Sequence, residues 1–254
     1  MADTRRLAVV SGGSGGIGRA VVLSLAEAGD EVVALGRSPE RLADLADTAR
    51  ERGFHVATRV GDLTDPATVE SLAETLGPVS VLVNNAGDAH SASLADTDLD
   101  LWRHHLDANA TSAFLLTRAL LPGMLRRDRG RIVFVASTAA HTGSRYTAAY
   151  TAAKHAVLGL ARSVAAEVAG GGVTANTVCP SFVRTPLTEH SISRIAERTG
   201  RDLERAERAL AASTPLGRLI EPEEVAAAVA YLASPLAGAV NGQTLTIDGG
   251  DTQR

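Results

Sequence analysis

A chain of 254 residues with 45% apolar content is long enough to bury one large core. Its formal net charge of -4, without any basic block, lacks the electrostatic footprint of a nucleic-acid binder. No apolar stretch approaches the roughly 20 residues of a membrane span, the apolar run 7–10 is too short for a signal peptide, and a single cysteine excludes an internal disulfide and fits a reducing cytoplasm.

Residues 7–11 read as a short buried strand that runs into Gly12-Gly13-Ser14-Gly15-Gly16-Ile17-Gly18. Ile17, Val21, Leu25 and Ala28 then recur at helical spacing until Gly29 stops them. Strand, glycine turn and helix make a phosphate-binding arrangement, because glycines let the backbone approach a pyrophosphate at the positive end of a helix. Gly13, Gly15 and Gly18 satisfy G-x-G-x-x-G, whereas Gly12, Gly16 and Gly18 satisfy G-x-x-x-G-x-G; spacing alone leaves both open. The second strand, 31–35, is followed by Gly36-Arg37-Ser38, where an NAD site usually places a carboxylate for the adenosine ribose. No carboxylate stands there to repel a 2'-phosphate, and Arg37 with Ser38 could hold one by charge-assisted hydrogen bonds. The bland alternative is a solvated loop arginine.

Pro39 opens a helix whose inward face carries Leu42, Leu45, Ala46 and Ala49. A third strand, 55–60, closes on Asp62-Leu63, with Asp62 placed to meet an adenine edge. Asp65-Pro66 caps the next helix, striped by Val69, Leu72, Ala73 and Leu76. Residues 79–83 form a fourth strand ending in Asn84-Asn85-Ala86-Gly87. The β-α-β-α-β-α-β pattern calls for a doubly wound α/β fold, a Rossmann-type parallel sheet of seven strands with helices on both faces. A long helix is expected over 98–127, with Trp102, Leu106, Phe114 and Leu121 among its apolar positions and Asn109, a mediocre helix former, in its middle.

The fifth strand, 131–136, delivers Ser137 to the sheet edge where ligands bind. Beyond it, Tyr150 and Lys154 lie four apart, on one face of a helix. A phenol titrates near ~10, so it needs a nearby cation to become a useful proton carrier at neutral pH, and Lys154 is placed to supply one. Taken alone, Tyr-x-x-x-Lys is more often a half-buried aromatic beside a surface lysine. A sixth strand, 173–178, leads to Cys179, read as a buried inert thiol, and Pro180-Ser181-Phe182-Val183-Arg184-Thr185-Pro186. Residues 187–213 are mostly helical and charged. Another helix begins near Glu221 and a seventh strand spans 243–248.

The elements taken together resemble the short-chain dehydrogenase/reductase family over nearly the whole chain: Gly12, Gly16 and Gly18; Asp62; Asn84-Asn85-Ala86-Gly87; Asn109; Ser137; Tyr150 and Lys154; and Pro180 through Thr185. The resemblance selects G-x-x-x-G-x-G. It implies a single dinucleotide-binding and catalytic domain over 1–254, with a helical substrate lid at about 186–213. It implies that Tyr150 passes a proton to the carbonyl oxygen while Ser137 hydrogen-bonds that oxygen. Lys154 would hold the nicotinamide ribose and lower the Tyr150 pKa, and Asn109 would keep a water between Lys154 and solvent. The cofactor would be NADP(H) in preference to NAD(H), held by Gly12, Ser14, Gly16, Ile17, Gly18, Arg37, Ser38, Asp62, Leu63, Asn85, Ala86, Gly87, Tyr150, Lys154, Pro180, Val183 and Thr185.

Departures from the family pattern are Ser11 for threonine, Gly15 where many NADP-using relatives carry a basic residue, and Ser181 where glycine normally follows Pro180. Phe182, Leu187, Ile192 and Ile195 are candidates to line the cleft, with His90, His141, Ser144, Arg145 and Tyr146. No spacing suggests a metal site. Arg194, Arg198, Arg201, Arg205 and Arg208 are largely explained by helical ion pairs such as Glu197 with Arg201 and Glu204 with Arg208; a sharper idea has some of them meet a phosphopantetheine or coenzyme A arm. The expected activity is reduction of a ketone, of the sort that acts on 3-oxoacyl compounds. The alternatives are an NAD-dependent secondary-alcohol dehydrogenase and a cofactor-binding regulator without turnover. A homotetramer is expected, from apolar outer faces at Phe114, Leu115, Leu158 and Val164 and from the edge of the last strand.

Overall fold

β1 (Leu7–Ser11) is buried because helices cover both faces of the sheet around it: Ala8 and Val10 pack to one side, Val9 to the other. The computed structural model describes residues 5–200, 202–212 and 214–253. Arg201 and the side chains of Ile195 and Arg198 lie outside the described residues, as does the expected Glu197–Arg201 pair.

The strands β2 (Glu31–Gly36), β3 (Val56–Val60), β4 (Val79–Asn84), β5 (Gly130–Val135), β6 (Val173–Pro180) and β7 (Thr244–Ile247) join β1 in one seven-stranded sheet, ordered β3-β2-β1-β4-β5-β6-β7. Every neighbouring pair is parallel. The helices α1 (Gly16–Glu27) and α2 (Pro39–Glu51) cover one face together with α9 (Pro222–Ala233), around Val22, Leu45 and Val229. On the other face lie α3 (Pro66–Thr75), α5 (Ser112–Arg126) and α6 (Ala148–Glu167), around Leu72, Leu116 and Val157. The order reverses direction between β1 and β4, which puts a crevice at the carboxyl ends of these two strands. α7 (Pro186–Thr199) and α8 (Leu203–Ala211) follow β6 and share a small core of Ile192, Ala206, Leu210 and Leu219.

Three sequence expectations change. The helix expected over 98–127 is α4 (Leu99–Leu106), one π-turn at Asp107–Thr111, and α5. Polar side chains take up carbonyls at the wider turn: Asn109 Nδ2 donates to His105 O (2.9 Å) and Ser112 Oγ to Ala108 O (2.8 Å). Second, Leu115, Leu158 and Val164 are buried within the chain, and of the four residues assigned to an outer face only Phe114 is exposed. Third, Ile192 is buried between α7 and α8 rather than lining the cleft, whereas Phe182 and Leu187 are exposed. Among the described residues no helix is long and apolar enough to cross a membrane.

Candidate active site

The glycine turn fits the backbone around it closely. Gly12 and Gly16 have φ of 62° and 50°, values that side-chain-bearing residues adopt at a cost. Gly18 has no such angle, but a Cβ there would meet Gly12 O at 2.1 Å and Asn85 Nδ2 at 2.5 Å. These three positions are those of G-x-x-x-G-x-G. No side chain caps α1 at Gly15, so its first backbone N–H groups remain available to an anion. Ile17 packs into the core beneath the turn, Ser14 Oγ lies against Gly36, and a Cβ on Gly16 would touch Thr185 Cγ2 at 3.0 Å. One turn thus meets the ends of β2 and β6.

Ser11, in place of threonine, ties this turn to the Asn84-Asn85-Ala86-Gly87 loop. Its Oγ accepts from Asn85 N (2.9 Å) and Ala86 N (3.0 Å), and Asn85 Nδ2 donates to Ser11 O (3.1 Å) and Gly12 O (3.2 Å).

At the end of β2, Arg37 is exposed and near enough to Asp62 to help hold that carboxylate below its usual range, after the larger effects of hydrogen bonds from the Thr64 N–H and hydroxyl. Leu63 is buried beside it. Ser38 caps α2, accepting from Arg41 N (3.2 Å), and donates to Glu40 Oε2 (2.8 Å). A carboxylate therefore does reach this loop from the first turn of α2, contrary to the expectation from Gly36-Arg37-Ser38 alone. A Cβ on Gly15 would stand 1.9 Å from Arg41 Nη2. The guanidinium of Arg41 fills the space that a basic side chain at position 15 would need.

The opposite half of the crevice holds the titratable groups. Ser137 follows β5, Tyr150 and Lys154 rise one turn apart on α6, and Asn109 faces them from the π-turn. The Ser137 hydroxyl lies close enough to the Tyr150 phenol to favour its ionised form. Lys154 is buried, with Nζ donating to Val135 O (3.2 Å) and 5.7 Å from the centre of the Tyr150 ring. Burial pushes the Tyr150 phenol above its ordinary value, and the Ser137 hydroxyl pulls it back only in part. Burial also pushes the Lys154 ammonium down to about 8. Desolvation is the largest influence on both groups.

Asn109 Nδ2 donates to Asp88 O (3.0 Å) and His105 O, while its buried Oδ1 has no partner among the described residues. A Cβ on Gly87 would lie 2.5 Å from that Oδ1 and 3.5 Å from Lys154 Nζ, so both polar atoms border one small space. Cys179 lies underneath: it takes a hydrogen bond from Ser137 N–H, and burial pushes its thiol up to about 11. Beyond β6, Thr185 caps α7 and accepts from Thr188 N, Val183 is buried beside Ile220, and Pro180 pairs with Ile247. Ser181 Oγ is buried without a partner, the one polar atom that the departure from glycine adds here.

Asn109, Ser137, Tyr150 and Lys154 thus stand close together, Ile192 is buried between α7 and α8, and the Ile195 side chain lies outside the described residues. Sequence reading missed Glu40, Arg41 and His105. The buried His105 ring stands edge-on to Tyr150 with centroids 6.0 Å apart, and its spacing of four from Asn109 was the available signal. Tyr146, His141, Ser144 and Arg145 are all exposed, and Arg205 and Arg208 pair with Asp202 and Glu204.

Comparison with known proteins agrees with this geometry. A family model described as enoyl-(acyl carrier protein) reductase matches residues 12–252. The chain is 37% identical to 3-oxoacyl-[acyl-carrier-protein] reductase FabG of Vibrio cholerae, over 96% of each chain. It is 35% identical to D-beta-hydroxybutyrate dehydrogenase of Cupriavidus necator, over 96% of this chain and 97% of the relative. A solved structure of an actinorhodin polyketide ketoreductase variant with NADPH superposes with a TM-score of 0.94 at 35% identity, over 98% of each chain.

Proposed function

The chain belongs to the short-chain dehydrogenase/reductase family, and from that premise we propose that it reduces a ketone carried on a 3-oxoacyl thioester, using NADPH. The observation that carries this reading is the Ser137–Tyr150 hydroxyl pair, with buried Lys154 behind it and Asn109 Oδ1 unpartnered beside it. Two neighbouring hydroxyls can both turn to one carbonyl oxygen, which is what carbonyl reduction requires and simple nucleotide binding does not.

The crevice fits the nucleotide at both ends. The uncapped start of α1 suits a pyrophosphate, and Arg37 with Arg41 suits a 2'-phosphate, Arg41 standing in for the basic residue missing at position 15. When bound, the nicotinamide supplies the hydride. Tyr150 gives its proton to the carbonyl oxygen, and Ser137 steadies the charge developing there. Lys154 holds the ribose and favours the phenolate that Tyr150 becomes. Asn109 Oδ1 and Lys154 Nζ then border the space where a water can return the proton. Asp62 and Leu63 serve the adenine, Asn85, Ala86 and Gly87 its neighbouring sugar, and Pro180, Val183 and Thr185 the carboxamide end.

We treat the chain as one dinucleotide-binding and catalytic unit with 186–213 as its lid, assembled as a homotetramer in the cytoplasm. Glu40 on Ser38 favours a second reading, an NAD-dependent secondary-alcohol dehydrogenase, since a carboxylate there suits ribose hydroxyls. A panel of 3-oxoacyl thioesters and small free ketones, assayed with NADPH and NADH at the reduced-nicotinamide absorbance, tests the proposal. Fastest turnover of a thioester with NADPH supports it. Preference for NADH with a 3-hydroxy acid moves the assignment to the second reading.

A further inference from the structure

The loop after Gly87 brings together three side chains that the proposed reduction does not use. Asp88 Oδ2 lies 3.1 Å from His104 Nε2 and 3.7 Å from His90 Nδ1, and all three atoms lie within 4.8 Å of one another. Two imidazoles thus converge on a single carboxylate oxygen, from a loop (Asp88, His90) and from the last turn of α4 (His104). We propose that Asp88, His90 and His104 bind one divalent transition-metal ion of the zinc class, leaving a coordination position open to solvent or to a small ligand.

The chemistry and dimensions suit such an ion. Two neutral imidazoles and a carboxylate are the mixed nitrogen and oxygen donors that zinc takes in three-residue sites. With metal–ligand bonds of about 2.0–2.2 Å, tetrahedral ligand atoms stand roughly 3.3–3.6 Å apart. The two contacts to Asp88 are already near that separation, and the widest pair needs to close by roughly 1 Å. His90 can make that movement, because its side chain is 54% exposed. The other two ligands are braced. Asp88 O accepts from Asn109 Nδ2, Ala89 N donates to Asp88 Oδ1 (2.8 Å), and His104 is carried by a regular helix. An ion here would pin the loop that also receives Arg194 of α7, at Ser91 O (2.5 Å), and so would lie at the hinge between lid and crevice. The His104 and His90 rings each stand 5.9 Å from His105, the ring next to Tyr150.

The test uses the full chain without a histidine tag, stripped with a chelator, and titrated with Zn2+ by calorimetry and with Co2+ by visible absorption. One ion per chain is expected, with a cobalt spectrum of low symmetry and a zinc-dependent rise in melting temperature. His90→Ala and His104→Ala should each weaken binding by about tenfold or more, whereas His55→Ala, at the far end of β3, should not. His90 is exposed, so its variant reports on the site without a folding defect. Absence of binding, or equal binding by the wild type and both variants, would overturn the proposal and leave Asp88 as a hydrogen-bond acceptor shared by two histidines.

Discussion

Tyr150 and Lys154 carry the chemistry in this account, and their burial gives each a measurable consequence. Tyr150→Phe removes the proposed proton donor while leaving the ring and its packing. It should lower kcat by roughly 10²–10⁴-fold with NADPH binding unchanged; residual activity above about a tenth of wild type would remove Tyr150 from that role. Lys154 titrates at about 8 in the folded protein and near 10.5 when unfolded. Below pH 8 both states hold the proton, and between the two values only the unfolded state does, so unfolding is increasingly disfavoured as pH rises across that window. Denaturant titrations of the protein without nucleotide should therefore show wild type gaining stability relative to Lys154→Met from pH 8 to about 10.5. A constant difference between the two would mean that Lys154 is not depressed.

At the scale of elements, the first turns of α1 and α2 set nucleotide choice together. Arg41→Ala should weaken NADPH by roughly ten- to a hundredfold, the loss of one charged hydrogen bond of about 1.5–3 kcal/mol, and leave NADH nearly unchanged. Glu40→Gln should shift preference further toward NADPH, since it removes the carboxylate from Ser38. Equal effects on both nucleotides, read by fluorescence titration, would make these residues bystanders. Gly18→Ala places a methyl 2.1 Å from Gly12 O and should cost about 1–3 kcal/mol of stability in urea. Such contacts also explain what the sequence could reveal. The seven strands, the glycine turn, Ser137, and the placing of Tyr150 and Lys154 one turn apart were legible because each lies within one strand, turn or helix, whereas the choice of Gly12, Gly16 and Gly18 came from the family resemblance. Arg41 over Gly15, Cys179 under Ser137, and His104 beside Asp88 join separate elements, and no local period records them. The inward packing of Leu115, Leu158 and Val164 was misread for a related reason: helices apolar on several faces show no single stripe to orient them.

For the whole molecule, assembly rests on fewer residues than the sequence suggested. Phe114 and Leu125 on α5 remain 43% and 49% exposed, and β7 is an edge strand with Leu245 at 41%. We propose that each of these surfaces pairs with its own copy, which predicts a mass of four chains by light scattering at micromolar concentration; a mass of two would remove the β7 contribution, and a mass of one would remove both. The central claim is hydride transfer to a ketone within the crevice formed by β1, β4, β5 and β6. It is tested most directly with NADPH deuterated at both C4 positions, a 3-oxoacyl thioester and mass spectrometry of the product. One deuterium is expected on the carbon bearing the new hydroxyl, and none on that same carbon from wild-type reactions run with unlabelled nucleotide in deuterated water. Nucleotide binding without any labelled alcohol, across the thioesters and ketones tried, would contradict it.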